Sequence, residues 1–258
     1  MLDGGAVIDR YELLVRQEGD GLATSWAALF RDRSERLVEL VRLDPYVAEV
    51  SEFRNAFLRE AAALRRVTHA GFLSFRMAEA ASGSVFGIRN HVEKLSLAEL
   101  SALAAQTGEP LPPAALVRIA VEALSVLGAV HAARDAGDAA IHGDLTPGHL
   151  FVTSQGGVLV GQSALGVAAS RPGCVRAPGR NERLRFKAPE QLAPSSGVAR
   201  KLDGRIDLFS LGVVLWEALA ARPLFEGGSD EETLGRALTA PIPPIASARR
   251  VVDEPLPA

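Results

Sequence analysis

Cysteine is all but missing: Cys174 stands alone among 258 residues. No disulfide can close within the chain, and a reducing compartment, the cytoplasm, fits that composition. Cys174 follows a Pro-Gly pair in a polar stretch, a setting that does not favour a reactive or metal-binding thiol. The five histidines are scattered without metal-ligand spacing. Charge of one sign is also lacking. A net charge of −3 gives no general attraction for polyanions, so nucleic acid is not an expected partner. The opening stretch MLDGGAVIDRYELL has no charged start followed by an apolar core, which argues against a secretory leader. The most apolar run, LFSLGVVLWEALAA at 208–221, is too short to span a bilayer and is bounded by Asp207 and Arg222. It reads as a buried helix, and no membrane partner is expected. Internal repeats are absent.

What is there changes character along the chain. Residues 10–45 alternate as strands do, in RYELLV, TSWAALFR and RLVELVRL, with the glycine-containing turn RQEGDGLA after the first. Residues 51–67 read as a helix with Phe53, Phe57, Ala61 and Leu64 on one stripe and Ser51 as its N-cap. Strand-like pieces follow at FLSFRMAEA and VFGIRNHVE. Then come an amphipathic helix ending at Gly108 and a longer one opening with Pro and running to Gly137. The longer helix carries Leu116, Ile119, Ala123, Leu127 and Val130 on its apolar face. Two short strands, HLFVT and GVLVGQ, flank an SQGG turn. A long Gly/Pro/Arg-rich loop spans about 163–185, followed by the buried helix at 206–220, the short helix DEETLGRALT, and an end that reads as extended linker. The division is 1–94, β-rich with one helix; 95–240, mainly helical; and 241–258, a tail. The fold class is α+β.

Three segments then stand out in order. IHGDLTPGHLFVT resembles the H-R-D catalytic loop of the eukaryotic-type Ser/Thr protein kinase family. RFKAPEQL resembles the A-P-E segment. DGRIDLFSLGVVLWEALAARPLF resembles the central buried helix, with Asp207 where a carboxylate braces the catalytic loop. HGDLTPG alone is also similar to aminoglycoside phosphotransferases, but the two later segments favour the protein kinases. The resemblance covers almost the whole chain and implies a two-lobed fold with a β-rich N-lobe and a helical C-lobe. Roughly fifty further C-lobe residues would be expected in that family, so the C-lobe reads as truncated after the short helix that follows the central one. Glu190 of the A-P-E segment then has no obvious partner, and exposed apolar surface should bind a partner or dimerise.

Phosphoryl transfer needs phosphates cradled, metal held, charge neutralised and the nucleophile oriented. Position by position, the resemblance implies that most of these are missing. Glu18, Asp20 and Ala23 fall where the glycines of the phosphate loop belong, although a slip of one residue restores Gly19 and Gly21. Val41 takes the place of the V-A-I-K lysine, and Glu39 the place of the small residue that covers adenine. Arg42 points to the opposite face of that strand. Glu60 matches the helix glutamate, or is simply a solvent-facing helix residue. His142 and Asp144 match the loop, Asp144 standing at the base position. Thr146 replaces the lysine that steadies the transferred phosphate. His149 replaces the metal-binding Asn and is a poor magnesium ligand, since that ion prefers oxygen. Gln162 begins the segment that should read D-F-G.

The activation segment has Arg171, Arg176, Arg180, Arg183, Arg185 and Lys187 but no Thr, and Arg183 falls near the Thr that contacts the catalytic Asp. The cationic loop at 171–187 could dock an acidic peptide, or be a plain solvated loop. These substitutions imply a pseudokinase acting as a scaffold or regulatory module, with no cofactor expected. The alternative is an atypical Ser/Thr kinase that uses Asp144 with ATP, Mg²⁺ and a relocated cation. A third is an inactive fragment of a larger receptor or regulator. Asp144 then serves to hold its turn.

Overall fold

Alternating apolar residues in the first ninety positions build a curled antiparallel sheet. In this computed structural model, residues 5–19, 23–32, 35–44, 48–79, 85–135, 138–161, 182–192 and 202–248 are described. The six-stranded sheet runs in the order β1 (Val7–Ile8), β2 (Tyr11–Gly19), β3 (Ala23–Phe30), β4 (Arg36–Leu43), β7 (Val85–Asn90), β6 (Arg76–Glu79). Period-two alternation gives β4 two faces. Val38 and Leu40 face Leu13, Trp26, Phe86 and Ile88, while Val41 and Leu43 face Phe53 and Phe57 of helix α1 (Ser51–Leu64). The helix stripe Phe53, Phe57, Ala61 and Leu64 is fully buried, as its spacing requires. Its N-cap is Val50 with no side-chain cap bond, so Ser51 lies inside the first turn rather than capping it.

The larger lobe begins at β8 (Lys94–Ser96), three residues after β7 ends. Ser96 caps helix α2 (Leu97–Thr107) in a full capping box with Glu99, and Gly108 closes it in the left-handed conformation. Helix α3 (Pro113–Ala132) buries Leu116, Ile119, Ala123, Val126, Leu127 and Val130. Losing a buried Leu such as Leu127 costs about 2–5 kcal/mol, so this face anchors the lobe. The helix stops at Ala132, five residues before Gly137, because Arg134–Asp135 (β9) and Asp138–Ala139 (β10) pair as a hairpin. Among the described residues α3, not the 208–221 run, is long and apolar enough to cross a membrane by length and composition, but its buried face forms part of the lobe's core.

A four-stranded sheet joins β5 (Phe72–Leu73), β12 (Val158–Gly161), β11 (Leu150–Thr153) and β8. Beyond it lie α4 (Pro189–Leu192), the central helix α5 (Arg205–Ala220), and α6 (Asp230–Thr239), capped by Ser229. A last turn of helix, α7 (Ile245–Ala248), stands where the sequence reads as extended linker. Trp216 of α5 donates its indole N–H to the Pro243 carbonyl at 3.0 Å and ties that segment down.

Candidate active site

The loop between β10 and β11 is shaped by one carboxylate. Asp207, in the first turn of α5, accepts the backbone N–H of His142 at 2.9 Å and of Gly143 at 2.7 Å. His131 Nε2 lies 2.8 Å from the same carboxylate. Gly143 sits at φ +74°, a left-handed conformation that disfavours any side chain there. His142 is fully buried. Its Nδ1 accepts the Asp144 N–H at 3.3 Å, which leaves Nε2 to donate to the Gly161 carbonyl at 2.7 Å. His142 and Asp207 are thus joined to the loop backbone by hydrogen bonds.

Asp144 is enclosed. Its carboxylate pairs with Arg183, and Lys187 Nζ lies 2.8 Å from Oδ1. Lys187 also donates to the Gly143 carbonyl at 2.8 Å, and Gln191 to the same oxygen at 3.0 Å. Burial draws the Arg183 guanidinium down to about 10, far enough above neutrality for it to stay charged. Beside this pair, Thr146 Oγ1 meets His149 Nδ1 at 3.0 Å. Burial pushes the His149 imidazole down to about 4, only partly opposed by Asp144, so it is neutral at pH 7. It packs edge-on against His142 with centroids 5.4 Å apart. Thr146 and His149 therefore engage each other.

On β4, Glu39 is the centre of a second ionic group. One carboxylate oxygen binds Arg89 from the end of β7, and the other lies 2.8 Å from Lys94 Nζ. The three side chains are only 4%, 8% and 8% exposed. The Arg89 guanidinium lies 4.7 Å from the Phe75 ring centre and 5.7 Å from that of Phe151, and the Lys94 ammonium lies 4.9 Å from Phe151. A side chain at Gly161 would stand 2.7 Å from Phe151 and 3.2 Å from Arg89, so glycine makes this approach possible. Burial pushes the Glu39 carboxyl up, but Arg89 and Lys94 together hold it below its usual value.

Of the other positions singled out in the sequence, Val41 packs beneath α1 against Phe53 and Phe57. Glu190 lies in the first turn of α4, and Arg205 is near enough to feel its charge. Glu60 lies on α1, but its side chain is outside the described residues, as are Gln162, residues 20–22, Cys174 and most of the 171–187 loop. Among the described residues no group of three or more His, Cys, Asp or Glu could hold a metal ion. Sequence reasoning missed Arg89 and Lys94, and named Lys187 without placing it beside Asp144. A signal existed for Arg89: a carboxylate in an apolar strand demands a buried cation, and VFGIRN supplies one at the end of the neighbouring strand.

No protein-family model matches the chain. The tyrosine-protein kinase MasK of Myxococcus xanthus is 26% identical over 253 residues, which are 96% of this chain and 38% of that protein. The serine/threonine-protein kinase PrkC of Bacillus subtilis is 25% identical over 231 residues, 89% of this chain and 33% of that protein. The chain thus spans about a third of the length of these curated relatives. Among solved structures, a cysteine-to-alanine mutant of the PknI kinase domain of Mycobacterium tuberculosis superimposes with a TM-score of 0.70 at 20% identity, covering 96% of this chain and 85% of that one. The fold is therefore that of a protein-kinase-like domain, and these relatives are bacterial protein kinases, chiefly of the serine/threonine type.

Proposed function

We propose that this protein-kinase-like domain does not transfer phosphate and works as a pseudokinase, a regulatory or scaffolding module that binds another protein. The observation that carries the reading is the buried Glu39–Arg89–Lys94 group. A small residue at position 39 would leave room for the base of a nucleotide. Position 39 instead carries a carboxylate, which draws two counter-ions in against Phe151. ATP and magnesium do not fit the residues present. Val41 offers no charge to a phosphate, and Thr146 and His149 are bound to each other. A general base must come within hydrogen-bond reach of the hydroxyl it deprotonates. Around Asp144 that space is taken by Arg183 and Lys187, and its side chain is 1% exposed.

Lys187 favours one other reading. A cation 2.8 Å from Asp144 could be the relocated lysine of an atypical Ser/Thr kinase. Thermal melting with ATP, alone and with Mg²⁺ or Mn²⁺, separates the two. The scaffold reading expects an unchanged Tm and no phosphate incorporated into the chain or a generic protein substrate. A Tm that climbs with metal–ATP, together with phosphate transfer that Asp144→Ala abolishes, would establish the second reading.

The partner we have in mind is a protein, in the cytoplasm. An acidic peptide at 171–187 would have to use Arg171, Arg176 and Arg180, because Arg183 faces Asp144, Arg185 faces Glu217 and Glu226, and Lys187 faces Asp144. Exposed Leu238, Ile242 and Ile245 on the larger lobe offer apolar surface to a partner or a second copy.

A further inference from the structure

We propose that Glu39, Arg89 and Lys94 form a clasp that holds the two lobes in one relative position. This goes beyond the reading above, since a filled nucleobase space need not join the lobes. Glu39 lies on β4 in the six-stranded sheet, and Lys94 lies on β8, which pairs with β11 in the larger lobe. Their 2.8 Å contact therefore crosses from one sheet to the other. Arg89 crosses in the opposite sense. It belongs to β7, binds Glu39, and lays its guanidinium between Phe75, packed under Gly87 of its own sheet, and Phe151 of β11. Phe151 thus receives one cation from each sheet.

Residues 91–93 alone connect β7 to β8, so the covalent link between these strands is short and any hinge there must move the clasp. Opening the cleft would part Lys94 from a carboxylate that is almost wholly out of water. A buried charge stripped of its partner is strongly unfavourable, whereas the same pair on a surface would yield easily. The group resists hinge motion because it is both buried and split between the lobes. A domain so held presents a fixed surface to its partners.

Hydrogen–deuterium exchange on the full chain tests the clasp. Lys94→Met and Arg89→Met are expected to speed exchange at residues 91–93 and along β8 at least tenfold, while the centre of α5 keeps its protection. Lys94→Arg, which retains the charge, is expected to stay near the parent rate. Arg118→Met serves as a surface control and should change nothing there. Unchanged exchange at 91–93 in both Met variants overturns the proposal, and so does acceleration spread equally over α5, which would mark general loss of stability. Should neither Met variant fold, Phe151→Leu takes their place with the same two outcomes. Binding of ATP by the unaltered chain would sink the scaffold reading without bearing on this result.

Discussion

Two buried carboxylates, Asp207 and Glu39, are satisfied in different ways. Asp207 is held by backbone N–H groups of His142 and Gly143 and by His131. Glu39 is held by two cationic side chains. The first arrangement fixes the course of the chain, because the donors are the chain itself. The second joins strands of the two sheets through side chains alone, which other side chains can replace. This difference maps onto the resemblance. Residues that shape the loop, His142, Asp144 and Asp207, match the kinase pattern. Those that would touch a nucleotide or its metal, at 39, 41, 146 and 149, depart from it.

The comparison breaks most sharply at Asp207. Asp207→Ala leaves two buried N–H groups without an acceptor, each worth about 1–3 kcal/mol, and strands the histidine that faced it. A loss of about 4 kcal/mol is expected in urea unfolding, with Asp207→Asn losing less because one acceptor survives. Next comes Glu39→Ala, which leaves Arg89 and Lys94 buried without a counter-charge and should cost about 3 kcal/mol. Replacing all three, as Glu39→Val with Arg89→Met and Lys94→Met, should restore most of that loss, since an apolar group of similar volume often does as well as a buried ion pair. No such rescue exists for Asp207, whose partners cannot be mutated away.

The same pair of sites predicts a pH dependence. The Glu39 carboxyl is held below its unfolded value of 4.5, so its contribution is present above that pH and is lost as pH falls through the lower folded value. Glu39→Gln should remove that part of the acid sensitivity. An unaltered acid limb in the variant would mean that other carboxylates dominate.

Much of this fold was legible because periodicity and caps agreed. Val38 and Leu40 against Val41 and Leu43 gave β4 two apolar faces, and the α1 stripe was correct to the residue. Ends were less legible. Ser51 looked like a cap but lies in the first turn, and α3 stops at Ala132 because the β9–β10 hairpin takes the chain away, a pairing that no local propensity announces. The loop residues of the candidate site were readable from their spacing, and Arg183 beside Asp144 follows from the same alignment. Lys94 was not, because it looks like an ordinary surface cation until the fold brings it to Glu39, and Arg89 was signalled only by the carboxylate in the neighbouring strand. Lys187 is a similar case: its partner is forty-three positions away in sequence.

Glu217, a further carboxylate with little exposure, tests whether every such acid here resembles Asp207 or Glu39. It lies on α5 and meets Arg185 at 3.3 Å, while Arg185 also reaches toward Glu226 at 3.9 Å. Glu217 accepts the Leu224 N–H at 2.9 Å. Burial pushes its carboxyl up, the Leu224 N–H and Arg185 oppose that, and Glu226 adds to it; the net direction is upward from 4.5. For an acid raised in the folded state, the stability it contributes is greatest below the unfolded value and declines as pH rises through the folded one. Glu217→Gln keeps an acceptor for Leu224 and removes the buried charge. It should be more stable than the parent at pH 7, with a flatter profile from pH 4.5 upward. Unfolding curves at three pH values decide it. A less stable variant at pH 7 would put Glu217 in the class of Glu39, a charge that its cation more than repays. The expected gain sets it apart from both, as a carboxylate kept for its hydrogen bond rather than for its charge.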